Sequence, residues 1–219
     1  MASKKIAAVL IAGALSVSLA ACGSDDDGGS GANPDVTPAA EVASLSNGVS
    51  TAVKLDATFV STLTKLGVTP GVVGTAKLTD GSLIFPITGG NVKYYTPGTV
   101  NPFVQGIINH NGSGLSLTAG GIKVELENFD VDPGASVLTG KVSANGSEVA
   151  AKANLFFLDG RTLQPIKVEG KNAILQGTTV KIHPDAAKLL NDTYKLTGAN
   201  AIPDYFTVGI ATITAATAA

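Results

Sequence analysis

Cysteine is nearly missing from this chain: 219 residues contain one, Cys22. A single thiol excludes internal disulfides and multi-thiolate zinc sites, so stability has to come from a hydrophobic core. Histidine is almost as scarce, with only His110 and His183, which restricts acid–base and metal chemistry. The formal net charge is −2, so no basic excess exists to attract DNA or RNA, and no nucleic-acid partner is expected. No apolar run reaches the ~20 residues of a membrane-spanning helix. The chain also lacks a Walker loop, a dinucleotide fingerprint, an H-E-x-x-H pair and a G-x-S-x-G elbow. With these absent, no enzymatic activity is expected. Tryptophan is missing and methionine occurs once, whereas Gly, Val, Thr, Leu and Ile are plentiful. Short apolar runs punctuated by glycine read as β-rich.

What is present begins with that cysteine. Lys4 and Lys5 precede an apolar stretch from Ile6 to Ala21, which ends in Leu19-Ala20-Ala21-Cys22. Charge, greasy segment and small residues at the cut form an export signal. The thiol placed just after it resembles the lipobox of bacterial lipoproteins, in which the cysteine is lipidated and becomes the mature first residue. The resemblance implies a signal peptide over 1–21, a lipid anchor on Cys22 and a place in the cell envelope, outside the cytoplasm. Cutting there removes Lys4 and Lys5 and moves the net charge to −4.

Residues 22–47 read as a flexible tether. Gly28, Gly29, Ser30 and Gly31 show no periodicity, and Pro34 and Pro38 oppose regular structure. Asp25-Asp26-Asp27 reads as a solvated charge cluster.

Residues 48–219 read as one β-rich domain. Val49, Val53 and Leu55 suggest a strand, and Asp56 caps a helix whose Phe59, Leu63 and Leu66 share a face before Gly67 ends it. Val72 to Thr79 and Leu83 to Ile87 read as strands around an Asp80-Gly81 turn. Gly106–Asn109 and Leu115–Thr118 read as two short strands around a glycine turn. Ile122, Val124 and Leu126 alternate with charged residues, and the parity then slips to Phe129 and Val131, predicting a β-bulge near Asn128. Asn145-Gly146 is a hairpin signal. Pro184 and Asp185 open a second helix, with His183 at its entrance. Val53–Leu55 and Val180–Ile182 each precede a helix, and Val73–Thr79 echoes Val208–Thr214, suggesting two pseudo-symmetric strand–helix–strand units. The predicted architecture is mainly β, an antiparallel sandwich or partly open barrel with two short helices.

Few side chains stand out as binding candidates. His110, in Asn109-His110-Asn111-Gly112, is placed at a strand end entering a glycine loop, where binding residues commonly sit. Tyr94 and Tyr95 precede the turn Thr96-Pro97-Gly98, and adjacent aromatics on a strand face opposite ways, so at least one is expected to be exposed. Asn128, Asp130 and Asp132 alternate like a calcium loop, but Pro133 stands where that loop needs glycine, so a hairpin rim is expected and no metal site.

Gly106-Ile107 leading to His110, the glycine turn, Leu115-Ser116-Leu117, the Val124–Asn128 strand and the Leu155–Asp159 strand together resemble part of the HtaA-type hemin-binding domain of bacterial surface proteins. The resemblance covers about residues 106–159. It implies a β-rich domain that holds heme through a tyrosine with a histidine nearby, and His110 falls where that histidine belongs. The family's tyrosine lies in an opening aromatic segment, whereas Leu55 to Leu66 here contains neither Tyr nor Trp. Two readings stand: a lipid-anchored, non-catalytic envelope protein that binds an unidentified partner or plays a structural or adhesive role, or an HtaA-like carrier of a small ligand, with heme the first candidate.

Overall fold

Alternating apolar and polar residues, interrupted at turns by glycine and asparagine, generate thirteen strands in one antiparallel sheet. The structure is a computed structural model, described for residues 36–216. The export signal, Cys22 and the tether up to residue 35 lie outside the described residues.

The sheet starts earlier than the sequence suggests. Strand β1 (Ala40–Val42) pairs with β6 (Gly89–Tyr94), and Leu45 is 1% exposed in the core, so this part of the expected tether belongs to the domain. Strand β2 (Ser50–Leu55) leads into helix α1 (Ala57–Lys65), where Asp56 Oδ1 accepts from the Thr58 and Phe59 amides at 2.8 and 3.2 Å. The strand expected over Val72–Thr79 is two strands, β3 (Thr69–Gly74) and β4 (Lys77–Thr79). Gly74, at φ +61°, breaks them apart; a Cβ there would stand 2.0 Å from the Gly112 carbonyl oxygen. Strand β5 (Ser82–Pro86) follows the Asp80-Gly81 turn.

The two short strands expected around Gly112 are one long strand, β7 (Val104–Ala119). It pairs with β8 (Ile122–Asp132) along its length on one side, and on the other with β6 first and β3 afterwards. Strands β9 (Val137–Ala144) and β10 (Ser147–Asp159) form the hairpin at Asn145-Gly146, both at positive φ. The short β11 (Lys167–Glu169), then β12 (Asn172–Ile182), α2 (Pro184–Tyr194) and β13 (Thr207–Ala216) complete the fold.

The strand order β1-β6-β7-β8-β9-β10-β12-β13-β2-β5-β4 describes a sheet curled into a half-barrel, the partly open barrel of the sequence reading. The expected pseudo-symmetry fails in the pairing. β12 and β13, flanking α2, are neighbours, whereas β3, after α1, leaves β2 and joins β7.

Topology divides the barrel into two ends. The β6–β7, β8–β9 and β10–β11 connections meet at one end, beside the start of β12 and the end of β13. Both helices follow strands at the other end. There Phe59 and Leu63 of α1 and Ala186 and Leu190 of α2 pack against Leu55, Leu117, Leu126 and Ile182, leaving only about 30 Å³ of space. That is room for little more than a water molecule. The helices stopper the barrel.

Candidate functional site

Above that stopper the barrel is hollow. A cavity of about 480 Å³ runs from its middle to the loop end, within the ~300–1,000 Å³ typical of small-molecule sites. Leu83, Leu115, Phe156 and Val208 form the partition, facing both this cavity and the packed helix end. The walls are overwhelmingly apolar, and among the described residues Asp159 and Arg161 are the only lining side chains with a charge at neutral pH.

His110 stands deep in this space, not in a loop as its glycine-rich surroundings suggest. Paired bulges put it there. β7 and β8 lose register between His110 and Gly114, opposite Glu127 to Asp130, and Asn128 adopts φ +54°. Asn128 Oδ1 accepts the Gly112 N–H at 2.9 Å, and Thr88 Oγ1 accepts the Asn111 N–H at 2.9 Å. Inward parity therefore passes from Ile108 and His110 to Leu115 and Leu117 on β7, just as it slips on β8. The irregularity is conformational, and the strand continues through it.

The imidazole is 2% exposed. Its Nε2 lies 2.8 Å from Thr51 Oγ1 on β2, whose register partner Phe85 on β5 also packs against the imidazole, so the bond ties β7 to β2 where β5 lies against β7. Its Nδ1 is buried without a hydrogen-bond partner of good geometry, although the Phe129 main chain lies near enough to act on the ring. Phe85 meets the ring edge-on at 6.3 Å, and Phe85–Phe129 and Phe129–Phe156 contacts at 5.3 and 6.4 Å continue the aromatic lining. Burial lowers the His110 pKa to about 4, outweighing the Phe129 main chain and the charge of Asp130, which act to raise it. The ring is neutral at pH 7, the form that can bind a metal or accept a hydrogen bond. Neither ring nitrogen hydrogen-bonds a carboxylate.

The tyrosine pair divides. Tyr94, the last residue of β6, lines the cavity near its mouth and packs edge-on against Phe103 at 6.0 Å. Tyr95 points the other way, is 8% exposed and does not line the cavity; its amide donates to the Phe103 carbonyl at 2.7 Å. Neither is the exposed tyrosine that the sequence suggests. That residue is Tyr205, 52% exposed against Phe157. His183 caps α2 through Nδ1, which accepts the Asp185 N–H at 3.2 Å. Asp130 Oδ1 accepts from Asn109 Nδ2 of β7 at 2.8 Å and its Oδ2 from Lys152 Nζ of β10 at 3.2 Å, whereas Asp132 Oδ1 accepts the Ala135 amide at 2.9 Å within the β8–β9 turn.

Sequence reading missed Thr51, Phe85, Phe129 and Arg161. Thr51 carried a faint signal, being a polar residue on the inward parity of β2 with Val53. Arg161 carried none, because its position depends on a 3₁₀ turn over Gly160–Thr162.

The site is thus a histidine in an apolar hollow of an antiparallel half-barrel that two helices close at one end. The chain is similar to the crystal structure of the C-terminal domain of HtaA from Corynebacterium glutamicum. The match has a TM-score of 0.51 and 12% identity, and covers 77% of this chain and 98% of that one. A domain-swapped dimer of a histidine-to-alanine variant of that domain is also similar, with a TM-score of 0.47, 12% identity and coverage of 74% and 92%. No family model and no curated protein matches the chain. The first likeness establishes the fold.

Proposed function

We propose that this chain is a lipid-anchored, non-catalytic carrier of the bacterial cell envelope, whose barrel binds an apolar small molecule, heme being the first candidate. One observation carries this reading: the stoppered, apolar cavity with the unpartnered Nδ1 of His110 inside it. A buried nitrogen without a partner costs about 1–3 kcal/mol, a cost that a bound ligand can offset. A structural or adhesive protein gains nothing from such a hollow, so the cavity favours the carrier over the partner-binding reading.

The residues fit heme. His110 offers a neutral imidazole, Tyr94 stands on the wall of the same cavity, and aromatic and aliphatic side chains supply the dry surroundings a porphyrin needs. Heme, when bound, would supply an iron able to take a nitrogen or oxygen ligand from the protein. The chain would enclose the macrocycle, exclude water and offer His110 and Tyr94 as candidate ligands; Tyr95 lies outside the cavity.

Hemin titration of the purified protein tests this. A sharpened, shifted Soret band at one equivalent is expected, and His110→Ala should alter its position and weaken binding. No Soret change removes heme, and an identical titration of wild type and variant removes His110 as its ligand. The anchor has its own test. Cys22→Ala should abolish labelling by a palmitate analogue in a lipoprotein-processing bacterium, and equal labelling of both forms refutes it.

A further inference from the structure

Among the described residues, only one place on the cavity wall is charged. Asp159 ends β10, and the 3₁₀ turn that follows it carries Arg161 to the mouth of the barrel. The Asp159 carboxylate receives Arg161 Nε at 2.8 Å, Arg161 Nη2 at 2.6 Å and Lys181 Nζ at 3.0 Å. These bonds hold its carboxyl well below the usual carboxylate range. Asp159 is covered by these partners rather than by depth, since the Arg161 side chain is 83% exposed. One anion between two cations leaves a surplus positive charge. Asp159 also occupies only two of the five guanidinium donors, so Arg161 is fixed in place with binding capacity to spare. The same loop is pinned by Thr162 Oγ1 on the Gly177 carbonyl at 2.6 Å, and it contributes apolar Leu163 and Ile166 to the mouth.

We infer that the cavity takes an amphipathic carboxylate, its apolar body inside the barrel and its carboxylate at the mouth on Arg161, with Lys181 supporting the local charge. This rests on the carrier reading and adds the ligand's chemistry and direction. A dry tunnel with one oriented cation at its mouth selects for a charge at one end of an apolar molecule. An uncharged apolar molecule would leave that cation without a ligand partner. A carboxylate reversed into the tunnel would meet apolar walls and pay for desolvation. Porphyrin propionates and long-chain acyl carboxylates share this chemistry.

Two probe pairs separate the sources: hemin against its dimethyl ester, and cis-parinaric acid against its methyl ester, each titrated into the purified protein. In at least one pair the acid should bind about tenfold more tightly than the ester. Arg161→Gln should remove that preference while ester binding holds, and Arg161→Lys should retain part of it. The pair that shows the preference identifies the source. Equal binding of acid and ester by wild type, or an unchanged ratio in Arg161→Gln, overturns the inference and leaves the carrier reading standing. Binding of none of the four overturns both.

Discussion

At the scale of single residues, burial of His110 fixes a pH dependence. The unfolded imidazole takes a proton near its ordinary value of 6.5, whereas the folded one resists until about pH 4. Between those values the unfolded state binds more protons, so stability is complete above pH 6.5 and declines as the pH falls towards 4. The loss in the ligand-free protein should approach about 3 kcal/mol, given the shift from 6.5 to about 4. Urea midpoints measured from pH 7.5 to 4 will show it, and His110→Leu should flatten that part of the curve. Equal slopes for the two proteins would contradict the burial argument. Composition pointed to His110 because only two histidines exist, but it misplaced the residue. A glycine-flanked histidine looks like a loop residue until the long-range ladder to β8 is known. Thr51, its partner, is 59 positions away in sequence, and no local pattern could join them.

At the scale of elements, local chemistry was legible and pairing was not. The Asp56 cap, the Asn145-Gly146 turn, the helix after Pro184 and the parity slip near Asn128 depend on neighbours within a few residues, and each stands as read. Strand identity failed where it depended on distant partners. β3 and β4 look continuous in sequence but join different strands, and β7 looks interrupted because its bulge consumes glycine. The bulge gives a direct test. Asn128→Ala removes the acceptor for the Gly112 N–H and puts at φ +54° a residue that tolerates the left-handed region less well than asparagine, at a cost of about 2 kcal/mol. Asn128→Gly, which keeps the conformation and loses only the bond, should cost roughly half as much. Urea midpoints at constant m-value measure both, and a harmless alanine would show that the bulge does not depend on this side chain.

At the scale of the whole molecule, the mainly β, helix-capped design was legible from composition and turn spacing, but its hollow was not. Cavity volume depends on how far a sheet curls, and that depends on the whole set of strand pairings rather than on any segment. The domain boundary shows the same limit. β1 and Leu45 look like tether because proline and alanine surround them, yet Leu45 is among the most buried side chains. Leu45→Ala should destabilise the domain by about 2–5 kcal/mol, seen as a lower midpoint in thermal or urea unfolding. A surface-like change below about 0.5 kcal/mol would return that stretch to the tether.

The two-helix stopper also dictates traffic. A vessel sealed below has no through-flow, so whatever occupies it must back out along the path by which it came. That path leads past Phe103, Leu163, Ile166 and the turn at Pro133-Gly134.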